Sequence, residues 1–451
     1  RAGNPGSTHR KNDSLKMEKI ATIQVDPPRA HWLLLARRPV FNATNLEKKV
    51  TAIINEVKEH GDEAVKSYSR QFHGFAPESV WVTVPEIRAA SRVVPKDLKQ
   101  AILMAKEHIE KFHRHQVQGI KKVTTAPGIT CWRRDTPIEK IGLYIPGGSA
   151  PLFSTLLMLA IPAKLAGCKN IIVTTPAQND GSVNAVILYV AGILGLKKIY
   201  KSGGAQAIAA LAFGTQTLDK VDKIFGPGNQ YVTCAKKLVS NAGIAIDMLA
   251  GPSELAIYAD ASCEPAFVAA DLLSQAEHGI DSQVVLVAAS RRIIDQVVDH
   301  IKQQLPSLPR KDIIEKSLLN GRLMVMTKKG DAFDFLNQYA PEHLIIASKD
   351  AEKLAVRVVN AGSVFLGNLA PESAGDYASG TNHSLPTNGT ARAQAGVSVD
   401  SFVKKITFQQ ISKKGIQHIG KTVETMAAAE GLEGHKNAVS IRLKKISHEQ
   451  L

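Results

Sequence analysis

From residue 138 to residue 366 the chain repeats one pattern: a short β-branched and aliphatic run, a turn, then a helix-length stretch. Strand-like runs lie at residues 141–145, 170–175, 198–201 and 223–225. A second series has runs at 255–259, 283–288, 323–326, 344–347 and 363–366. Such alternation specifies βαβ units and parallel sheets, because parallel neighbours need a crossover long enough to hold a helix. Three of the four turns in the first series are Gly-rich: Pro146-Gly147-Gly148, Gly203-Gly204 and Gly226-Pro227-Gly228-Asn229. Backbone N–H groups and helix N-termini at such turns approach phosphates closely. A dinucleotide is therefore the expected ligand of the first series. The G-x-G-x-x-G pattern is absent from all three turns, and at any one of them the glycines could serve a tight turn alone.

A chain of 451 residues exceeds what one core usually holds, so two or more domains are expected. Residues 1–41 read as an arm with a turn at Pro27-Pro28. Helical periodicity covers 45–59, 62–72 and 85–115, the last interrupted near Val94-Pro95, and residues 80–84 read as a short strand. The helices of 43–117 are expected to pack on the second series. That gives a discontinuous domain, 42–140 plus 252–396, around a domain of 141–251. From 397 onward a strand at 404–411 leads into two helices at 413–430 and 435–446. This hairpin has no evident core of its own, which suits packing on a second copy of the chain.

The net charge is +15, but the lysines are dispersed and aromatics make up only 5% of residues. No RNP-like motif, C2H2 spacing or long basic block occurs, so nucleic acid is not the expected partner; anionic cofactors account for the charge better. No run of about 18 uninterrupted apolar residues exists, so no membrane span is expected. Cys131, Cys168, Cys234 and Cys263 form no CxxC pair and no disulfide framework. Residues 1–17 are polar and basic without an apolar stretch, unlike a secretory signal; a trimmed organellar transit peptide or an expression scar fits them.

Four polar clusters carry candidate chemistry. Gln275 and His278 stand three residues apart at a helix end, with Gly279 as the expected stop. Two N/O donors there are half of a metal site, or simply a solvated helix end. Glu342-His343 precedes a strand; Asp376 and His383 share a polar loop; Glu430 and His435 lie at the turn of the tail hairpin. Taken singly, these are a solvated pair, a turn cap and a surface helix start. Taken by type, Gln275, His278, Asp376 and His435 make a four-coordinate set suited to zinc.

Together the phrases Tyr144-Ile-Pro-Gly-Gly, Gly226-Pro-Gly-Asn229, Gly251-Pro-Ser253-Glu, Ser274-Gln275-Ala-Glu-His278-Gly, Ala340-Pro-Glu342-His343-Leu, Gly375-Asp376-Tyr and Glu430-Gly-Leu-Glu-Gly-His435 resemble the histidinol dehydrogenase family, from about residue 40 to the end. The resemblance implies an α/β fold: two incomplete Rossmann-like parallel-sheet domains, with small N- and C-terminal arms that mediate dimerisation. It implies one zinc per subunit, held by Gln275, His278, Asp376 and, from the neighbouring subunit, His435. It implies substrate contacts at Ser253, His383 and Glu430 besides those ligands and His343, and NAD contacts at Tyr144, Gln206 and Asn229. Glu342 and His343 match the catalytic pair for oxidising L-histidinol to L-histidine. The basic start resembles plant members imported into plastids; a cytoplasmic location is the alternative. The rival chemistry is a thiolate-based aldehyde dehydrogenase, for which Cys234, near the Gly226 turn, is the nearest cysteine.

Overall fold

A computed structural model describes residues 23–39, 44–74, 79–147, 151–249 and 251–448. Strands β1 (Ile23–Val25), β2 (Lys122–Ala126) and β3 (Ile129–Pro137) come first. The first α/β series supplies β4 (Lys140–Tyr144), β5 (Asn170–Thr175), β6 (Ile199–Lys201), β7 (Lys223–Phe225) and β8 (Ala245–Ile246). The second supplies β9 (Glu254–Ala259), β10 (Gln283–Ala288), β11 (Arg322–Val325), β12 (His343–Ala347) and β13 (Ser363–Leu366), and β14 (Val403–Ile411) follows.

Two parallel sheets result, ordered β6-β5-β4-β7-β8 and β1-β11-β10-β9-β12-β13. Leaving β1 aside, both run third-second-first-fourth-fifth in their own strands. This is the Rossmann order short of its last strand, so each sheet is an incomplete version of that fold. Strands β9, β10 and β12 are buried along their whole length, as parallel strands covered on both faces must be.

The helices before residue 117 do not pack where expected. Helices Thr44–His60 and Asp62–His73 share a core with helices Gly204–Phe213 and Gln230–Asn241, through Val50, Val57 and Val65 against Leu211 and Val232. Helices Val84–Val93 and Lys96–Arg114 cover helices Ala185–Ile193 and Phe153–Ala166. All four thus attach to the five-stranded sheet. The reason lies in the helices of that sheet. Phe153–Ala166 and Gly204–Phe213 are buried on all sides, so a second helical layer must cover their outer faces. The six-stranded sheet instead takes β1, paired with β11, and Trp32, packed edge-on against Phe335. Part of the expected arm is therefore a strand of the six-stranded sheet.

Residues 80–84 form only a bridge between Trp81 and Tyr200. Strands β2 and β3, a hairpin around Pro127-Gly128, were not expected. They pair with β14 in a three-stranded antiparallel sheet. The tail helices Lys413–Ala429 and Glu433–His448 pack on each other, with Gly420 against Leu443. The second buries no residue within the chain. No described helix is long and apolar enough to cross a membrane.

Candidate active site

Helix Lys329–Tyr339 ends in Ala340, whose left-handed φ of 52° turns the chain through Pro341 into β12. That turn drives Glu342 and His343 inward; they are 6% and 3% exposed. The neighbouring strand fixes both. The Glu254 N–H donates to Glu342 Oε2 at 2.9 Å, and the Glu254 carbonyl lies 3.3 Å from His343 Nδ1. With Nδ1–H donating there, His343 Nε2 keeps its lone pair, and that buried atom has no protein partner. Burial pushes the imidazole down to about 3, so it is neutral near pH 7 and able to act as a base. Burial, with the Glu254 charge behind it, raises the Glu342 carboxyl well above the usual range.

The short helix Glu372–Tyr377 presents two carboxylates four residues apart on one face. Asp376 Oδ1 lies 3.7 Å from His343 Nε2, and Glu372 Oε1 lies 3.6 Å from His343 Nδ1. His278, Glu372 and Asp376 offer ligand atoms within 4.8 Å of one another. Gln275 is wholly buried, and neither atom of its amide has a partner. Both Glu372 oxygens are equally unpaired, on a side chain 1% exposed. Orphaned buried polar groups are costly unless something satisfies them, so this donor set fits a divalent cation with mixed N/O ligands. Gly279 is not the helix stop. Helix Pro265–Ala276 ends earlier, and His278 sits two residues beyond, its N–H directed to the Gln275 carbonyl at 3.3 Å.

A cleft of ≈ 640 Å³ opens from this cluster. On one side lie Ser253, His278, Glu342 and His383; on the other, Gly226–Asn229 and Asp247. The N-terminal edge of the six-stranded sheet thus faces the C-terminal edge of the five-stranded one. His383 is oriented by the Asp376 carbonyl, 3.0 Å from Nδ1, and by Thr155 Oγ1, 3.3 Å from Nε2.

Strand β4 is flanked by β5 and β7, so the crossovers reverse at β4, where such sheets bind nucleotides. Tyr144 ends that strand, and its hydroxyl accepts the Gly204 N–H at 3.1 Å. Gln206 is 1% exposed with both amide atoms unpartnered. Gly226 has φ +123°, and a Cβ there would meet the Tyr144 carbonyl at 2.1 Å, so no side chain fits. Asn229 caps helix Gln230–Asn241, its Oδ1 accepting from Tyr231 and Val232 N–H. A backbone cradle and an orphan amide at the switch point fit a dinucleotide. Gly148, Ser149 and Ala150 lie outside the described residues.

The structure therefore gathers Gln275, His278, Glu342, His343, Asp376, His383 and Ser253. It leaves Glu430 and His435 exposed in the tail hairpin and absent from the cleft within one chain. Sequence reading missed Glu372, although its i,i+4 spacing to Asp376 marks one helix face. It also missed Glu254 and Arg38, an ion pair 216 residues apart with no local signal.

The histidinol dehydrogenase family profile matches residues 36–443. The chain belongs to the histidinol dehydrogenase family. It is 54% identical over 420 residues to the histidinol dehydrogenase of Bacteroides fragilis, covering 93% of this chain and 98% of that one. The Vibrio parahaemolyticus histidinol dehydrogenase is 47% identical over 419 residues, 92% of this chain and 96% of that one. The crystal structure of histidinol dehydrogenase from Elizabethkingia anophelis superposes with a TM-score of 0.93 at 52% identity, covering 95% of this chain and 99% of that one.

The affinity of this cluster for a divalent cation such as zinc should depend on pH. Burial lifts Asp376 to about 7 and raises Glu372 as well, so both favour the protonated form in the metal-free site. A divalent cation bound by Asp376, with Glu372 close by, favours the charged forms, so its binding must displace protons. Affinity should fall about tenfold per pH unit for each proton released as pH drops below about 7. Chelator competition between about pH 6 and 8 measures this; a flat profile would contradict it.

Proposed function

We propose that the chain oxidises L-histidinol through L-histidinaldehyde to L-histidine, reducing two NAD+ and consuming one water. The supporting observation is the neutral, buried His343, its Nε2 unpartnered, beside Glu342 at the mouth of an amide, imidazole and carboxylate cluster. Family membership supports the substrate. Gln275, His278 and Asp376 would hold zinc, one per subunit, with His435 supplied by the second subunit of a homodimer. Zinc, when bound, supplies a Lewis-acidic template for the nitrogens of an imidazole substrate. NAD+, when bound, supplies the hydride acceptor.

The chain's own residues carry the protons and the positioning. Tyr144, Gln206 and Asn229 orient the dinucleotide at the C-terminal edge of the five-stranded sheet. Ser253 and His383, with Glu430 of the second copy, position the substrate. His343 Nε2 takes the alcohol proton as the carbon gives up hydride. Glu342 takes a proton from the water that adds to the aldehyde; a cation held by Gln275, His278 and Asp376 would favour its ionised form despite burial. As the water adds, His343 returns its proton to the aldehyde oxygen, which completes the hydrate, and the freed Nε2 then takes the hydrate's O–H proton in the second oxidation. The division into a dinucleotide unit around β4–β8 and a catalytic unit around the six-stranded sheet belongs to the same proposal. The plastid reading rests on residues 1–17, which lie outside the described residues, and the relatives named above are bacterial.

Glu342→Gln tests the assignment. The variant should keep its zinc and still release the first NADH. Its aldehyde step should slow by about 10²–10⁴-fold, the usual cost of losing a general base. The NADH yield per histidinol should then drop from two toward one, with aldehyde accumulating. Two NADH per histidinol at the wild-type rate would refute the role given to Glu342.

A further inference from the structure

The same residue, Glu254, holds both members of the proposed pair through its own peptide groups, its N–H on Glu342 and its carbonyl on His343. Its side chain is buried as well, 2% exposed. The carboxylate is gripped by Arg38, whose Nε donates to Oε1 at 2.9 Å and whose Nη2 donates to Oε2 at 2.8 Å. The Asn388 N–H adds a third bond at 2.7 Å. Arg38 also reaches the other strand. Nη2 donates to the Tyr339 carbonyl at 2.6 Å, and the guanidinium lies 3.9 Å from the centre of the Tyr339 ring. Tyr339 is the last residue of the helix that turns through left-handed Ala340 into Glu342.

We infer that Arg38 is a positioning residue for the reaction: through Glu254 and Tyr339 it sets the start of β9 against the start of β12, and thereby the placing of Glu342 and His343. A fork of fixed donors can do this where a point charge cannot, because each N–H is aimed at a different acceptor. The pair is buried, with Arg38 and Glu254 side chains 12% and 2% exposed, so solvent does not loosen it. Its stabilising value is a separate matter. Replacing a buried ion pair with uncharged groups is often neutral for stability, whereas removing one partner strands a charge. Positioning and stability therefore predict different results for a double variant.

The inference rests on the catalytic assignment above, and the test separates the two. Arg38→Met, Arg38→Lys, the double variant Arg38→Met with Glu254→Gln, and His343→Asn are compared in the zinc-loaded full-length protein. Turnover is normalised to zinc content, and melting is measured alongside. A displacement of about 1 Å at the reacting groups costs on the order of 10²-fold in rate. Arg38→Met and the double variant should thus lose about 10–10²-fold in kcat per zinc-loaded site, with KM for histidinol within about threefold of wild type. The double variant should show this loss even where its melting temperature is unchanged, and Arg38→Lys should recover part of it. If kcat per loaded site stays within about twofold of wild type while His343→Asn is inactive, the inference about Arg38 is overturned and the catalytic assignment stands. If His343→Asn turns over normally, the catalytic assignment itself fails. Should the methionine variants not fold, Arg38→Lys decides: unchanged kcat per loaded site overturns the inference.

Discussion

Replacing His343 by Asn should slow both oxidations by about 10²–10⁴-fold and leave zinc bound. The two steps share one base in the proposed scheme, so neither is spared. Asparagine can still bond the Glu254 carbonyl that faces Nδ1, and so preserves the local frame. It lacks a basic nitrogen where Nε2 now stands. Zinc should stay because His343 is not among the proposed ligands, although Nε2 lies 3.7 Å from Asp376 Oδ1. Rates of each half-reaction, measured with metal content, check this. Lost zinc would mean that a ligand had been mistaken for a base. The wild-type pH profile carries a related sign. Burial holds His343 down to about 3, so its neutral form persists throughout mild acid. Activity lost on acidification below about pH 7 should then track zinc release, in line with the protons held by Asp376 and Glu372.

His435→Asn and Gln275→Asn should each lose zinc and nearly all turnover, yet restore activity when combined in one dimer. The proposed site takes Gln275 from one chain and His435 from the other. A mixed dimer then contains one site with both residues intact and one with neither. Turnover in verified heterodimers should approach half that of wild type; homodimers of either variant should stay inactive. The single chain makes this a sharp test, because His435 is exposed on a hairpin that brings it to no part of the cleft. No recovery in verified heterodimers would rule out a site shared in this way.

Much of the architecture was legible because βαβ alternation leaves a strong mark. Runs such as Gln283–Ala288 and Asn170–Thr175 are short and carry an unbroken apolar centre, residues 284–288 and 171–173, as suits buried parallel strands. Partner choice between layers left no such mark. The stripe Val50, Ile53, Val57 on helix Thr44–His60 says that one face is buried, not against what. Only the all-round burial of helices such as Gly204–Phe213 shows which sheet needed a second layer. The β2–β3 hairpin escaped notice because β2 is largely exposed and β3 mostly half-buried, so no alternation of apolar and polar residues betrays them. In the site, single motifs were ambiguous and their conjunction was not. Glu372 was within reach of a helical-spacing argument. The Arg38–Glu254 pair was not, since nothing local at either residue encodes a partner 216 positions away.

The placing of β1 has a consequence for how the molecule assembles. All five strands of the five-stranded sheet lie between Lys140 and Ile246, so its own ladders need no later residue, although β3 beside it pairs with β14. The other sheet must wait. Ile23 pairs with Leu323, and the whole five-stranded sheet lies between them in the chain. Closing so long a loop costs entropy before its contacts repay it. During synthesis, β1 emerges early and stays unpaired until β11 leaves the ribosome. The frame at Glu254, Glu342 and Arg38 therefore closes only after every strand of the five-stranded sheet has been made.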